Sequence, residues 1–160
     1  MRSKRSLYGI LVLGLMVFFT GCGKDDNPVE PEDHDKHAEA VGCVVMQEDM
    51  ELARAEKGTV SGELVVQALT ETPVLNLYLV AEDGDLFQPE EDEYTMAWDS
   101  QDPSIADLIQ YQADGKWGFR LKGLDVGNTS ISFVVMHGDH EDFVSLAIPV
   151  KVEPNGGGGL

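Results

Sequence analysis

Short apolar runs separated by polar turns extend over most of the chain, and their spacing is that of β-strands. The clearest run places Val144, Leu146, Ile148, Val150 and Val152 at every second position, which predicts one half-buried strand. Further strands are predicted at residues 60–69, 74–81, 94–98, 105–111, 117–121 and 131–135. Seven or more short strands of this kind predict an antiparallel β-sandwich.

Single residues refine this prediction. Gly62 predicts a kink within residues 60–69, because glycine adopts backbone angles that other residues avoid. Residues 82–85 (EDGD) predict a turn. Pro149 donates no backbone hydrogen bond, so it predicts a sheet edge at the last strand. Residues 47–57 contain good helix formers but also alternate like a strand, so both interpretations stay open.

The beginning of the chain has the layout of an export signal. Arg2, Lys4 and Arg5 form a basic head, residues 7–19 are an apolar run, and small residues precede Cys22. The run is too short to cross a bilayer comfortably, since a spanning helix needs about 20 residues. We therefore expect a secretory signal.

The cysteine at the end of this signal resembles the lipobox of bacterial lipoproteins. The resemblance implies that Cys22 is acylated, with palmitate among its lipids, and becomes the first mature residue. It implies a membrane partner, because the protein would be lipid-anchored in the bacterial cell envelope. The expected location is the outer membrane, at its periplasmic face or on the cell surface. An ordinary signal peptide with an incidental Cys22, or an uncleaved anchor, is the alternative.

Composition divides the chain into four parts. Residues 1–21 are the signal and residues 40–153 are the predicted sandwich. Between them, residues 22–39 form an acidic leash that has too few apolar side chains to fold. Residues 154–160 include four consecutive glycines and are expected to be a disordered tail.

Charge and cysteine content limit the function. The chain has 11 basic and 29 acidic residues, a net charge of −18. Removing Arg2, Lys4 and Arg5 with the signal takes this to −21 (−18 − 3), which argues against a nucleic-acid partner. With Cys22 acylated, Cys43 is the only other cysteine and has no intramolecular partner. We expect it to be a buried apolar residue, with a reactive or intermolecular thiol as the alternative.

Sequence motifs for catalysis are missing. The chain has no Gly-x-Ser-x-Gly elbow, no glycine-rich phosphate loop and no Cys–His nucleophile pair. We therefore expect a protein that is not an enzyme.

Two segments resemble the bacterial immunoglobulin-like domain family: residues 98–106 (WDSQDPSIA) and residues 123–131 (GLDVGNTSI). The family shows Trp, serines, Asp-Pro-Ser, Ile or Val and Ala, followed by a Gly-x-Thr before the next strand. The resemblance implies an immunoglobulin-like sandwich in which Trp98 fills the core between the sheets, Ile105 and Ala106 start the facing strand, and Gly127 allows a tight turn. It implies a structural or adhesive module and no catalysis.

The four histidines form two His-x-x-His segments, at His34 and His37 in the leash and at His137 and His140 between the last two strands. Imidazole is the commonest transition-metal ligand. Gly138 would allow a turn that brings both rings of the second segment to one side. We expect His37, His137 and His140 to bind the ion, with His34 or Asp139 completing the site. The alternative is four solvated histidines in a polar chain.

A separate calcium site is the weaker metal alternative. Its ligands would be Asp83, Asp85 and Glu90, although the segment lacks the full calcium-loop pattern.

Strand direction relates the two His-x-x-His segments. Alternate connections of a sandwich lie at the same pole, so residues 137–141 and the acidic loop at residues 82–93 are expected together. If residues 41–69 form one bent strand or three short ones, the leash with His34 and His37 is expected to join the domain at this same pole. Two strands would place it at the opposite pole. The odd count predicts a site for Zn²⁺, Cu²⁺ or Ni²⁺.

Two hypotheses follow. The first is an envelope lipoprotein whose immunoglobulin-like domain binds or buffers a transition metal. The second is a non-catalytic adhesion, interaction or structural module with an unidentified protein partner and incidental histidines.

Overall fold

The computed structural model describes residues 39–156, which form an all-β fold with one short 3-10 helix at Gln112–Asp114. The described strands are β1 (Ala40–Gln47), β2 (Met50–Glu56), β3 (Thr59–Gly62), β4 (Leu64–Gln67), β5 (Leu75–Ala81), β6 (Leu86–Phe87), β7 (Tyr94–Ser100), β8 (Ala106–Ile109), β9 (Gly118–Gly123), β10 (Gly127–His137), β11 (His140–Val144) and β12 (Ile148–Glu153). The predicted all-β class is confirmed.

These strands build two sheets that pack as a sandwich. The first has the order β3-β2-β1-β5-β9-β8, with β6 paired to the end of β5. The second is centred on β10, which pairs with β7 along one edge and with β11 and then β12 along the other. Strand β4 extends this sheet beyond β12 in the parallel direction. The sandwich is thus antiparallel apart from the pairing of β4 with β12 among the described strands.

The core lies between the inner faces of the sheets. Phe119 of β9 and Phe133 of β10 are fully buried, and their ring centroids are 5.1 Å apart across the core. Each side chain of this size contributes on the order of 1.5–3 kcal/mol when it is buried. Alternation is clear in β4 and β12, where every second residue is buried and the residues between are exposed.

Strands β3 and β4 are one bent strand that leaves the first sheet and joins the second. The bend is at Gly62, whose φ is 75°. A Cβ atom there would lie 2.1 Å from the backbone oxygen of Leu52, so the position requires glycine. The predicted kink is confirmed.

The ambiguous segment at residues 47–57 is resolved as strand β2, which forms a hairpin with β1. Its buried residues are Ala53 and Ala55, at 1% and 2% exposure, whereas Met50 is 57% exposed. Helix propensity is overridden here because pairing with β1 satisfies the backbone of β2 and buries its small side chains.

The single strand predicted from Val144 to Val152 is wrong, because the structure divides it into β11 and β12. Val144 and Leu146 are 53% and 43% exposed, whereas Ser145 between them is 7% exposed. The Ser145 hydroxyl accepts a hydrogen bond from the Phe133 N–H at 2.8 Å, and the Phe133 carbonyl accepts one from the Ser145 N–H at 2.9 Å. One extra residue at this break moves the inward-facing side chains from odd to even positions. Ser145 is therefore buried before the break, and Ile148, Val150 and Val152 are buried after it.

The prediction that Pro149 marks a sheet edge is also wrong. Strand β12 lies between β10 and β4. The registered pairs with β4 begin at Val150, one residue after the proline. Pro149 has no partner residue in β4, so the sheet tolerates its missing N–H.

Trp98 lies at the margin of the core and not at its centre, which corrects the role implied by the family resemblance. It packs against the core but is only partly buried, whereas Tyr94 and Met96 of the same strand are buried. Its indole Nε1 donates a hydrogen bond to Asp107 Oδ1 at 2.9 Å, and this contact joins β7 to β8 of the other sheet. Trp117, at 7% exposure, is the buried tryptophan.

The remaining residues of the resemblance form the crossover between the sheets. Ala106 starts β8 and is fully buried, as expected. The Asp102 carboxylate accepts hydrogen bonds from the N–H and hydroxyl of Ser104. Gly127 has no positive φ; a Cβ there would instead approach the Cδ1 atom of Ile105 to 3.1 Å. Gly127 is the first residue of β10, directly after a short bend at residues 125–126, so the glycine packs closely against Ile105 but does not supply the positive φ of a tight turn.

Candidate metal centre

His137 and His140 face each other across the two-residue turn that joins β10 to β11. They are register partners, and their ring centroids are 5.5 Å apart. Gly138 has a φ of 61° at the first turn position, where glycine is favoured in hairpin turns of type II′. The prediction that a turn through Gly138 brings both rings to one side is confirmed.

Asp142 supplies a third donor to this pair. One imidazole nitrogen from each histidine and one carboxylate oxygen of Asp142 lie within 4.8 Å of one another. Asp142 is the position that the pairing of β10 with β11 skips, between Glu141, the partner of Met136, and Phe143, the partner of Val135, so a β-bulge places this carboxylate beside the two rings. We name His137, His140 and Asp142 the hairpin triad.

Asp139, the carboxylate expected from the sequence, does not belong to the hairpin triad. Its side chain is fully exposed at the tip of the turn, and its Oδ1 lies 3.6 Å from His140 Nδ1. The difference arises because Asp139 is in the two-residue turn, outside both strands, whereas His140 and Asp142 belong to β11.

His137 is the most buried member of the hairpin triad, with a side chain that is 13% exposed. Its ring stacks on Tyr94, with centroids 4.4 Å apart and planes inclined by 7°. Its Nε2 lies 3.2 Å from Oε2 of Glu93. Its Nδ1 is buried and has no hydrogen-bond partner among residues 39–156. A buried polar atom without a hydrogen-bond partner is unfavourable for the stability of the fold, so this nitrogen is a candidate ligand atom.

Negative charge surrounds the hairpin triad. Burial raises the pKa of the Tyr94 hydroxyl, and the charges of Asp142, Glu91 and Glu93 raise it further. The same negative potential attracts cations.

The acidic loop at residues 82–93 reaches the hairpin, as predicted. The Gly138 N–H donates a hydrogen bond to the Glu93 carbonyl at 3.0 Å. At the other end of this loop, Ala81 is paired with Ala40, the first residue of β1. Because β3 and β4 are one bent strand, β1, β2 and this strand make three passes, which is the odd count, and β1 begins beside this loop. His34 and His37 themselves lie outside the described residues.

The residues of the calcium alternative do not form a comparable group within the described part of the chain. Asp83 Oδ1 accepts a hydrogen bond from the Asp85 N–H at 3.1 Å, so this carboxylate stabilises the turn. Glu90 is exposed.

Cys43 is fully buried, as expected, and is not a surface ligand. Burial raises the pKa of its thiol to about 11, although a hydrogen bond with Ser145 opposes this shift. A thiol in this environment is unreactive near neutral pH. Cys22 lies outside the described residues.

Sequence reasoning missed Asp142, Glu93 and Tyr94. Asp142 is close to His140 in the sequence, but its approach to the rings depends on the β-bulge in the pairing of β10 with β11, which alternation does not predict. Glu93 and Tyr94 are more than 40 residues before the hairpin in the sequence, and only the pairing of β7 with β10 brings them to His137.

The donor set suits a transition-metal ion. Tetrahedral Zn²⁺, with bonds of about 2.0–2.1 Å, holds its ligand atoms about 3.4 Å apart. The hairpin triad would therefore need to contract by no more than about 1.4 Å from its 4.8 Å limit. Three protein ligands leave a position for water or for a further residue.

No protein-family profile and no curated protein matches the chain. Among solved structures, domains 4 and 5 of the S-layer protein SbsC are similar, at 18% identity and a TM-score of 0.38. The match covers 57% of this chain and 47% of that one, so this chain spans about half the length of the solved structure. Residues 39–156 contain no helix with the length and hydropathy needed to cross a membrane.

Proposed function

We propose that this domain binds a transition-metal ion, Zn²⁺, Cu²⁺ or Ni²⁺, through the hairpin triad. The observation that carries the proposal is the convergence of two imidazoles and one carboxylate within 4.8 Å, beside a buried His137 nitrogen that has no partner in the described segment. Imidazole ligands suit these three ions, whereas calcium prefers oxygen donors.

The leash would complete the site. It joins β1 beside the acidic loop, so His37, and then His34, are the expected additional ligands. A ligand recruited from a flexible segment lowers affinity through the entropy of ordering. The proposed role is therefore buffering or sensing of a metal, with no catalytic activity.

Thermal unfolding of the purified mature protein tests this function. A metal that binds only the folded state at about 100 times its Kd stabilises that state by about 2.7 kcal/mol. Zn²⁺, Cu²⁺ or Ni²⁺ should raise the melting temperature of the wild type and leave the His137→Ala/His140→Ala variant unchanged. The matched His34→Ala/His37→Ala variant should keep a smaller response. Equal affinities of the wild type and the hairpin variant, measured by calorimetry, would reject the site.

Acidity gives a second test of the same binding. Protons compete with metals for imidazole lone pairs, so binding should weaken as the pH falls. Affinity that stays constant from pH 7.5 to 5.5 would indicate binding by carboxylates alone.

The proposal also assigns the domain to a lipoprotein of the bacterial envelope, in an immunoglobulin-like family. The support is the basic head, apolar run and Cys22 of the export signal, together with the all-β sandwich fold. Cys22→Ala should abolish lipid labelling and normal maturation. Continued acylation of this variant, with unchanged membrane fractionation, would reject the lipobox.

A non-catalytic interaction module is the second candidate function. The outer surface of the second sheet exposes Val65, Val144 and Leu146 at 45%, 53% and 43%. Val144 and Leu146 are two residues apart in the sequence, and grouped exposed apolar side chains are a feature of protein-binding surfaces. Replacing these three residues with serine should remove a protein partner without changing the response to metal, whereas unchanged binding of that partner would reject this candidate.

A further inference from the structure

We propose that Glu93 is a positioning residue that holds His137 as its Nε2–H tautomer, so that Nδ1 is the nitrogen presented to the metal. The metal-binding consequence rests on the proposed function, but the tautomer is a property of the protein without metal. Glu93 belongs to the acidic loop and is not a member of the hairpin triad.

The hydrogen bond between the two side chains defines the tautomer. Glu93 Oε2 lies 3.2 Å from His137 Nε2. An ionised carboxylate only accepts hydrogen bonds, so the imidazole nitrogen must donate. A neutral imidazole carries one N–H, and its other nitrogen then has a free lone pair. In His137 that lone pair is on Nδ1.

The environment of Nδ1 supports this assignment independently. The atom is buried and has no hydrogen-bond partner within residues 39–156. A buried polar atom without a partner costs about 1–3 kcal/mol, and a bond to a metal ion would remove that cost. A carboxylate that holds one nitrogen of a histidine while the other binds the ion is a recurrent arrangement in metal sites.

The backbone places Glu93 for this role. Its carbonyl accepts the Gly138 N–H at 3.0 Å, which ties the end of the acidic loop to the hairpin turn. The next residue, Tyr94, stacks on the His137 ring at 4.4 Å. One short segment therefore contacts both the face and the Nε2 edge of this imidazole.

The tautomer can be measured in the metal-free protein by ¹⁵N NMR of the histidine side chains at pH 8. The wild type should show the His137 proton on Nε2. Glu93→Ala should shift the Nε2 resonance and speed exchange of its proton with water. The matched control Asp92→Ala removes the same charge from the neighbouring exposed position and should leave both unchanged. Glu93→Gln retains an acceptor oxygen and should resemble the wild type.

Metal titration supplies the second readout. On addition of Zn²⁺, the Nδ1 resonance of His137 should show the coordination shift, and Glu93→Ala should lower affinity about 10-fold relative to Asp92→Ala. A His137 proton on Nδ1, coordination through Nε2, or equal behaviour of the two alanine variants would each overturn the assignment. If no metal binds, the proposed function fails, and the metal-free spectra alone decide the role of Glu93.

Discussion

Removal of the Ser145 hydroxyl should destabilise the domain more than its small size suggests. This hydroxyl replaces a backbone acceptor at the break between β11 and β12, where it accepts the Phe133 N–H at 2.8 Å and donates to the Leu146 carbonyl at 2.9 Å. Ser145→Ala deletes both hydrogen bonds and the contact of this hydroxyl with the Cys43 thiol. The change leaves the methyl-sized side chain in place, so it creates almost no cavity.

The expected loss follows from what remains after the substitution. Ser145 is 7% exposed and Phe133 is fully buried, so water cannot readily reach the Phe133 N–H. A buried donor without an acceptor costs about 1–3 kcal/mol. We therefore expect Ser145→Ala to lower the free energy of unfolding by about 2 kcal/mol. For a domain of this size, the melting temperature should fall by about 4 °C per kcal/mol.

Urea unfolding followed by tryptophan fluorescence measures this loss. The matched control is Ser130→Ala on neighbouring β10, where an exposed hydroxyl donates to Gln101 Oε1 at 2.9 Å. This control should change stability by less than about 0.5 kcal/mol. If Ser145→Ala costs no more than the control, the hydroxyl does not replace a backbone acceptor and the account of the strand break is wrong.

Two further predictions concern the core. Trp98→Ala should lower the free energy of unfolding in urea by about 2 kcal/mol, because Trp98 is only partly buried. Trp117→Ala should lower it by about 3–5 kcal/mol, which is typical of a buried aromatic residue. Equal losses for the two variants would contradict their placement. Burial raises the pKa of Cys43 to about 11, so between pH 9 and that value the unfolded chain releases a proton that the folded domain keeps. Stability of the wild type should therefore fall there by up to about 1.4 kcal/mol per pH unit relative to Cys43→Ala, and parallel stability curves for the two proteins would show that the thiol is accessible.

Much of the fold could be predicted from local features of the sequence. Alternation located β9 and β10, because burying one face of a strand requires apolar side chains at every second position. Gly62 and Gly138 marked a bend and a hairpin turn, since both adopt the positive φ that glycine favours. The facing pair of His137 and His140 followed from the turn alone.

Other features depended on contacts between distant segments. Alternation predicted one strand through Ser145, but the break is stabilised by Phe133 on the neighbouring strand. Trp98 had the sequence context of a core residue, yet it is only partly buried and its indole donates a hydrogen bond to Asp107 of the other sheet. No local pattern carries the order of strands in a sheet.

The candidate site shows the same division. The sequence alone determined which residues could form the hairpin, because a two-residue turn fixes the pairing of its flanking positions. Only the tertiary structure decided that Asp142 joins the two histidines and that Glu93 contacts His137 Nε2. The physical reason is that turn and alternation preferences act over a few residues, whereas the approach of Glu93 to His137 depends on the pairing of β7 with β10 and on the packing of the whole sandwich.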